Sequence, residues 1–142
     1  MTEQARILVV DDEEDTRELF HTVLSGEGYH VTLANNGDEA QTLFKTGSFD
    51  LVISDIIMPE IDGLQLLQEI RKTSPTVDVI ITTGLGQVDA YIKAMSLGAV
   101  EYLNKPIRIH ELKGIVQRVL RKRKGRLGNW RPGTSLANRQ EE

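Results

Sequence analysis

The chain has 142 residues, enough for one domain with a substantial core plus a tail, and its 39% hydrophobic and 27% charged content is ordinary for a soluble globular protein. It contains no cysteine, which excludes disulfides, thiolate chemistry and Cys-based zinc sites. The net charge of −4 averages an acidic body, residues 1–117 at −10, with a basic end, residues 118–142 at +6, an asymmetry that concerns partners or solubility rather than fold.

Short apolar runs alternate with amphipathic segments along the whole body. Ile7–Val10 is the first predicted strand, followed by a helical pattern at Leu19, Phe20, Val23 and Leu24. His30–Ala34 precedes a helix marked by Ala40, Leu43 and Phe44, and Leu51–Ser54 precedes one marked by Leu64, Leu67 and Ile70. Val77–Thr82 leads into Ala90, Ala94, Met95 and Leu97; Val100–Leu103 leads into Leu112, Ile115, Val116 and Val119. Each helical pattern has the i, i+3, i+4 spacing of one buried face, and Gly26, Gly28, Gly47 and Gly98 fall where helices should end.

Strict βα alternation predicts an α/β fold, a doubly wound parallel sheet with helices on both faces. The first, third and fourth strands are the most uniformly apolar and suit the centre, whereas the second and fifth alternate more and suit the edges. That distribution fits a five-stranded order of 2-1-3-4-5.

Ligands of such sheets bind beyond the carboxyl ends of the strands. Here the first strand runs into Asp11-Asp12, the third into Asp55, the fourth into Thr82-Thr83 and the fifth into Asn104-Lys105-Pro106. Taken singly, each has a plain structural explanation as turn former, acidic helix start or solvated loop residue. Their coincidence on one rim does not. Three adjacent carboxylates repel one another unless a cation is present. A set of oxygen donors without His or Cys selects a hard ion such as Mg²⁺. Mg²⁺ keeps waters and pairs a few carboxylates with a phosphate, which makes phosphoryl chemistry the natural reading, with an aspartate as nucleophile. The Lys105 ammonium and the Thr83 hydroxyl would join the cation in stabilising the developing charge. His21, His30 and His110 are isolated and carry no role.

The blocks ILVVDDE, DLVISDIIMPEIDG, IITTG and YLNKP resemble the signature blocks of the response-regulator receiver domain of two-component systems, in order and spacing, from residue 5 to about 122. The resemblance implies that Asp55 is the phospho-acceptor, that Asp11 and Asp12 bind the metal, and that the main-chain carbonyl of Ile57 completes the Mg²⁺ shell. It implies that Thr83 is the switch hydroxyl, Lys105 the phosphate-contacting lysine and Tyr102 the aromatic switch position. The Lys105–Pro106 bond is expected to be cis. The resemblance also implies that Ile57 and Leu85 occupy the two positions that flank the approach of hydrolytic water, and that hydrolysis is slow because both are apolar. The stretch TTGLGQVDAYIKAMSLGAVEYLNKP is most similar to receivers attached to sigma-54-type activators, although Ile107 stands where phenylalanine usually follows Lys-Pro.

On this resemblance residues 1–122 form the receiver and residues 123–142 a basic linker or tail. The expected partners are a sensor histidine kinase or phosphotransfer protein and a downstream output domain or protein, with a second copy of the chain as a further candidate. RVLRKRKGR, residues 118–126, has six basic residues in nine and reads as a solvated helix end, with a nucleic-acid or acidic-partner patch as the weaker reading. No run is long enough to span a membrane, and MTEQARILVV lacks a signal peptide's basic start and cleavage site, so the cytoplasm and no membrane partner are expected. The chain is expected to be a signalling domain rather than an enzyme, promoting only its own phosphorylation and dephosphorylation. A small-molecule aspartyl phosphatase or phosphotransferase of the haloacid dehalogenase type would carry its nucleophile in a D-x-D on the first strand under a cap. Here the acids are adjacent and no stretch is long enough for a cap. A phosphate-independent scaffold is disfavoured by the intact set of acids, threonine and lysine.

Overall fold

The computed structural model describes residues 4–58, 62–84 and 87–128. Its elements run β1 (Arg6–Val10), α1 (Glu14–Gly26), β2 (His30–Ala34), α2 (Gly37–Thr46), β3 (Leu51–Asp55), α3 (Gly63–Thr73), β4 (Asp78–Thr83), α4 (Val88–Ser96), β5 (Glu101–Asn104) and α5 (Ile109–Gly128). The strands are all parallel, in the order β2-β1-β3-β4-β5, as the hydrophobic pattern predicts.

Alternation along the strands splits the core into two layers. Leu8, Val10, Val52, Val79 and Ile81 face Ala40 of α2, Leu66, Leu67 and Ile70 of α3 and Ala94 of α4. Ile7, Val9, Ile53, Ile80 and Leu103 face Phe20 and Leu24 of α1 and Leu112, Val116 and Val119 of α5. Strands β3 and β4 are buried along their full length, whereas β2 and β5 are largely half-exposed edges. Truncating a fully buried side chain such as Ile53 to alanine would cost about 2–5 kcal/mol.

Side-chain caps fix the starts of α2 and α3. Asn36 accepts from the Glu39 amide at 2.8 Å, and Asp62 and Gln65 form a reciprocal capping box at the start of α3. Of the glycines expected at helix ends, Gly28 (φ +93°) and Gly98 (φ +106°) adopt the left-handed conformation that favours glycine.

Helix α5 runs through the expected boundary at residue 122 without a break. Its basic run is partly docked rather than wholly solvated. Arg118 pairs with Glu101 at 2.7 Å, and the Arg123 side chain, 13% exposed, donates to the Thr76 carbonyl and lies 3.6 Å from Asp50. The remainder of the expected tail, residues 129–142, lies outside the described residues.

Candidate functional site

Parallel strands bring all their carboxyl ends to one rim, and Asp11, Asp12, Asp55 and Lys105 gather there. Asp11 follows β1 directly and is buried. Its amide donates to the Ala34 carbonyl at 3.2 Å, its Oδ1 accepts from the Glu13 amide at 2.9 Å, and its carbonyl accepts from Arg17 Nη1 at 2.7 Å. Asp12 beside it is exposed. Asp55 is the last residue of β3; the Ile57 amide donates to its Oδ1 at 3.2 Å.

The loop after Asp55 is pressed against the start of α3 at Gly63. The Gly63 amide donates to the Ile56 carbonyl at 2.7 Å, and a Cβ at Gly63 would lie only 2.2 Å from the Asp55 carbonyl oxygen and 2.7 Å from Ile56 Cα. No side chain fits there, so glycine is required by space alone.

Lys105 reaches in from the end of β5. Its amide donates to the Thr83 carbonyl at 2.7 Å and its bond to Pro106 is cis. The ammonium lies 2.8 Å from Asp55 Oδ2, 3.1 Å from Asp11 Oδ2 and 3.5 Å from Glu13 Oε1. Burial is the largest influence on Asp55 and raises its pKa; Lys105 and the Ile57 amide oppose this, Asp11 adds to it, and the outcome is a raised value. Burial pulls Lys105 down, but its bonds to Asp55 and Asp11 outweigh that and hold it above the ordinary lysine range. The two directions differ in origin: burial raises Asp55, whereas the neighbouring carboxylates raise Lys105.

Asp11, Asp12 and Asp55 each present a carboxylate oxygen within 4.8 Å of the others. Three hard oxygen donors at that spacing, in excess over the neighbouring cation, fit Mg²⁺.

Thr83, at the end of β4, is buried, and its hydroxyl donates to Asn104 Oδ1 at 3.3 Å. Tyr102 is 37% exposed and lies against Tyr91 of α4, ring centroids 4.4 Å apart. The Ile57 side chain is 58% exposed, while Leu85 lies outside the described residues. Sequence reasoning missed Gly63, Arg17, Glu13 and Tyr91. Gly63 stood within the quoted DIIMPEIDG block and Glu13 beside the acid pair, but Arg17 and Tyr91 carry no local signal.

Fold and rim together define a doubly wound α/β domain with an acidic, cation-ready site at its strand ends. The model of the response regulator receiver domain matches residues 7–117, and the chain belongs to that family. It is 40% identical over 129 residues to the probable transcriptional regulator ycf27 of Cyanidium caldarium, covering 91% of this chain and 51% of that protein. It is likewise 40% identical over 120 residues to the regulatory protein AtoC of Escherichia coli K12, covering 84% of this chain and 26% of that one. The chain thus spans from about a quarter to about half of these curated relatives. Among solved structures, the receiver domain of NtrX from Brucella abortus is 35% identical with a TM-score of 0.78, over 81% of this chain and 98% of that one. A receiver domain protein from Clostridium thermocellum is 37% identical with a TM-score of 0.80, over 84% and 97%.

Proposed function

We propose that this receiver domain takes a phosphoryl group onto Asp55 from the phosphohistidine of a sensor histidine kinase or phosphotransfer protein, and thereby controls an output domain or protein through its α4-β5-α5 surface. The observation that carries this reading is the Asp55 carboxylate, buried at a strand end with Lys105 at 2.8 Å and two further acids in ligand range.

Asp11, Asp12 and Asp55, with the main-chain carbonyl of Ile57, would hold Mg²⁺, which when bound supplies positive charge to the carboxylates and to the phosphoryl oxygens. A carboxylate oxygen of Asp55 attacks phosphorus; the new O–P bond forms as the P–N bond to the donor imidazole breaks. Lys105 is already in place to meet charge on the incoming group, and the Ile57 amide steadies the other carboxylate oxygen. The phosphoryl oxygens then offer strong acceptors to the Thr83 hydroxyl. Inward movement of Thr83 leaves room for the Tyr102 ring, which reshapes the surface next to Tyr91. Ile57 and Leu85, both apolar, give water no hydrogen-bonding help at the phosphoryl group, so hydrolysis is slow.

The transcriptional regulators among the relatives favour a transcriptional output. The exposed Arg121, Lys122 and Lys124 of the basic run 118–126 are a secondary candidate for an acidic partner. Acetyl phosphate with Mg²⁺, followed by intact mass, tests the reading: an adduct of about 80 Da, one phosphoryl group, should form in the parent and be absent from Asp55→Asn. An adduct that persists in Asp55→Asn would refute it.

A further inference from the structure

We propose that Asn104 is a latch on the switch: its amide oxygen holds the Thr83 hydroxyl away from Asp55, and capture of a phosphoryl group must first break this hold. The proposal rests on the reading of Asp55 as phospho-acceptor and Thr83 as the hydroxyl that answers it. No role attaches to Asn104 otherwise.

Sheet order supplies the direction. Strand β4 lies between β3, which ends in Asp55, and β5, which ends in Asn104. Thr83 therefore stands with its prospective phosphoryl partner on one side and Asn104 on the other. Thr83 and Asn104 are register partners in the parallel β4–β5 pair, which sets their side chains next to each other on the same face. The hydroxyl donates across 3.3 Å to Asn104 Oδ1. A threonine hydroxyl has one proton to give, so it cannot serve Asn104 and a phosphoryl oxygen at once.

The preceding register pair shows that such a partner is not automatic. Thr82 pairs with Leu103, and its buried hydroxyl has no hydrogen-bond partner among the described residues. Strand β5 thus supplies an acceptor to the switch threonine and an apolar side chain to its neighbour.

Asn104 is exposed, so water competes for its carbonyl and the hold is moderate. It biases the equilibrium between the two Thr83 orientations without locking it. A ligand that needs the inward orientation then binds more weakly by the fraction of time the latch is closed. Asn104 is a positioning residue: it touches Thr83 and never the phosphoryl group.

A double-mutant cycle on the full chain tests this, with beryllium trifluoride and saturating Mg²⁺ as the phosphoryl mimic. Asn104→Ala should bind the mimic about 3- to 10-fold more tightly than the parent, the ratio expected for one ordinary hydrogen bond released. In the Thr83→Ala background the same substitution should change nothing, because no hydroxyl remains to be held. Equal affinity of parent and Asn104→Ala would overturn the latch while leaving Asp55 as acceptor. An equal gain in the Thr83→Ala background would also overturn it, because Asn104 would then act without the hydroxyl. If the parent neither binds the mimic nor takes a phosphoryl group from acetyl phosphate, the acceptor reading falls and the latch falls with it.

Discussion

Lys105 Nζ lies 2.8 Å from Asp55 Oδ2, which joins the end of an edge strand to the end of the central one across β4. This contact makes the acidic rim tolerable without a metal, because one ammonium is shared among Asp55, Asp11 and Glu13. It does not neutralise them all. Asp55 keeps a raised pKa with burial as the main cause, so its ionised form is a burden on the folded state.

That burden predicts the response to pH and metal. Between the ordinary aspartate value, about 3.9, and the raised one, the folded chain holds a proton that the unfolded chain has released, so stability falls as pH rises through this window. Asp55→Asn should therefore melt higher than the parent in metal-free buffer at neutral pH, and the advantage should vanish below the ordinary value. Lys105 is raised, so its contribution stays constant there and is lost only above the ordinary lysine value of about 10.4. Mg²⁺ should stabilise the parent by about 2.7 kcal/mol at a hundredfold excess over its Kd, and Asp55→Asn by less. Thermal melts with and without Mg²⁺ across pH check each sign.

Gly63→Ala should destabilise the fold by about 1–3 kcal/mol or more, because its Cβ would meet backbone at 2.2 Å rather than a yielding side chain. Urea denaturation measures this. The crowded atom is the carbonyl of Asp55 itself, so phosphoryl uptake by the folded fraction should also slow. An unchanged denaturation midpoint would contradict the contact.

Thr83→Ala should accept a phosphoryl group yet fail to pass the event on. Amide shifts of residues 84–104 should move on phosphorylation in the parent and stay largely still in the variant. Equal responses in the two proteins would show that the signal bypasses the hydroxyl.

Polar side chains beside the acceptor should shorten the life of the phosphorylated state. Ile57 is well exposed and its amide already touches Asp55, so a side chain there is well placed to hold a water. Ile57→Asn with Leu85→Glu should speed dephosphorylation at least 10-fold, given that a positioned acid or base contributes about 10²-fold or more to proton transfer. The decay of the adduct by intact mass, at saturating Mg²⁺, is the measurement. An unchanged half-life would remove both residues from control of the rate.

The sheet order and the rim were legible because they rest on periodicity and on which residues end each strand, both local properties of the chain. Gly63 was not, since its necessity arises only when α3 closes onto the carbonyl of a residue eight positions earlier. The Tyr91–Tyr102 contact likewise depends on how α4 lies over β5. The basic run near the end misled differently. Composition shows six cations in residues 118–126 but not which of them turn back toward the body, where Glu101, Asp50 and the Thr76 carbonyl receive Arg118 and Arg123.

The anchoring of Arg123 has a mechanical consequence for the 20-residue α5. At 1.5 Å per residue, about 21 Å of helix separates Ile109, near the Lys105 turn, from Arg123, and only about 7 Å continues to Gly128. A tilt that leaves the Asp50 and Thr76 attachments intact makes the helix a seesaw pivoting close to its far end. A shift beside the acidic rim then emerges beyond the fulcrum reversed in direction and reduced to about a third in size. Rotation of the helix about its own axis is resisted by the same attachments, so Arg123 damps both motions.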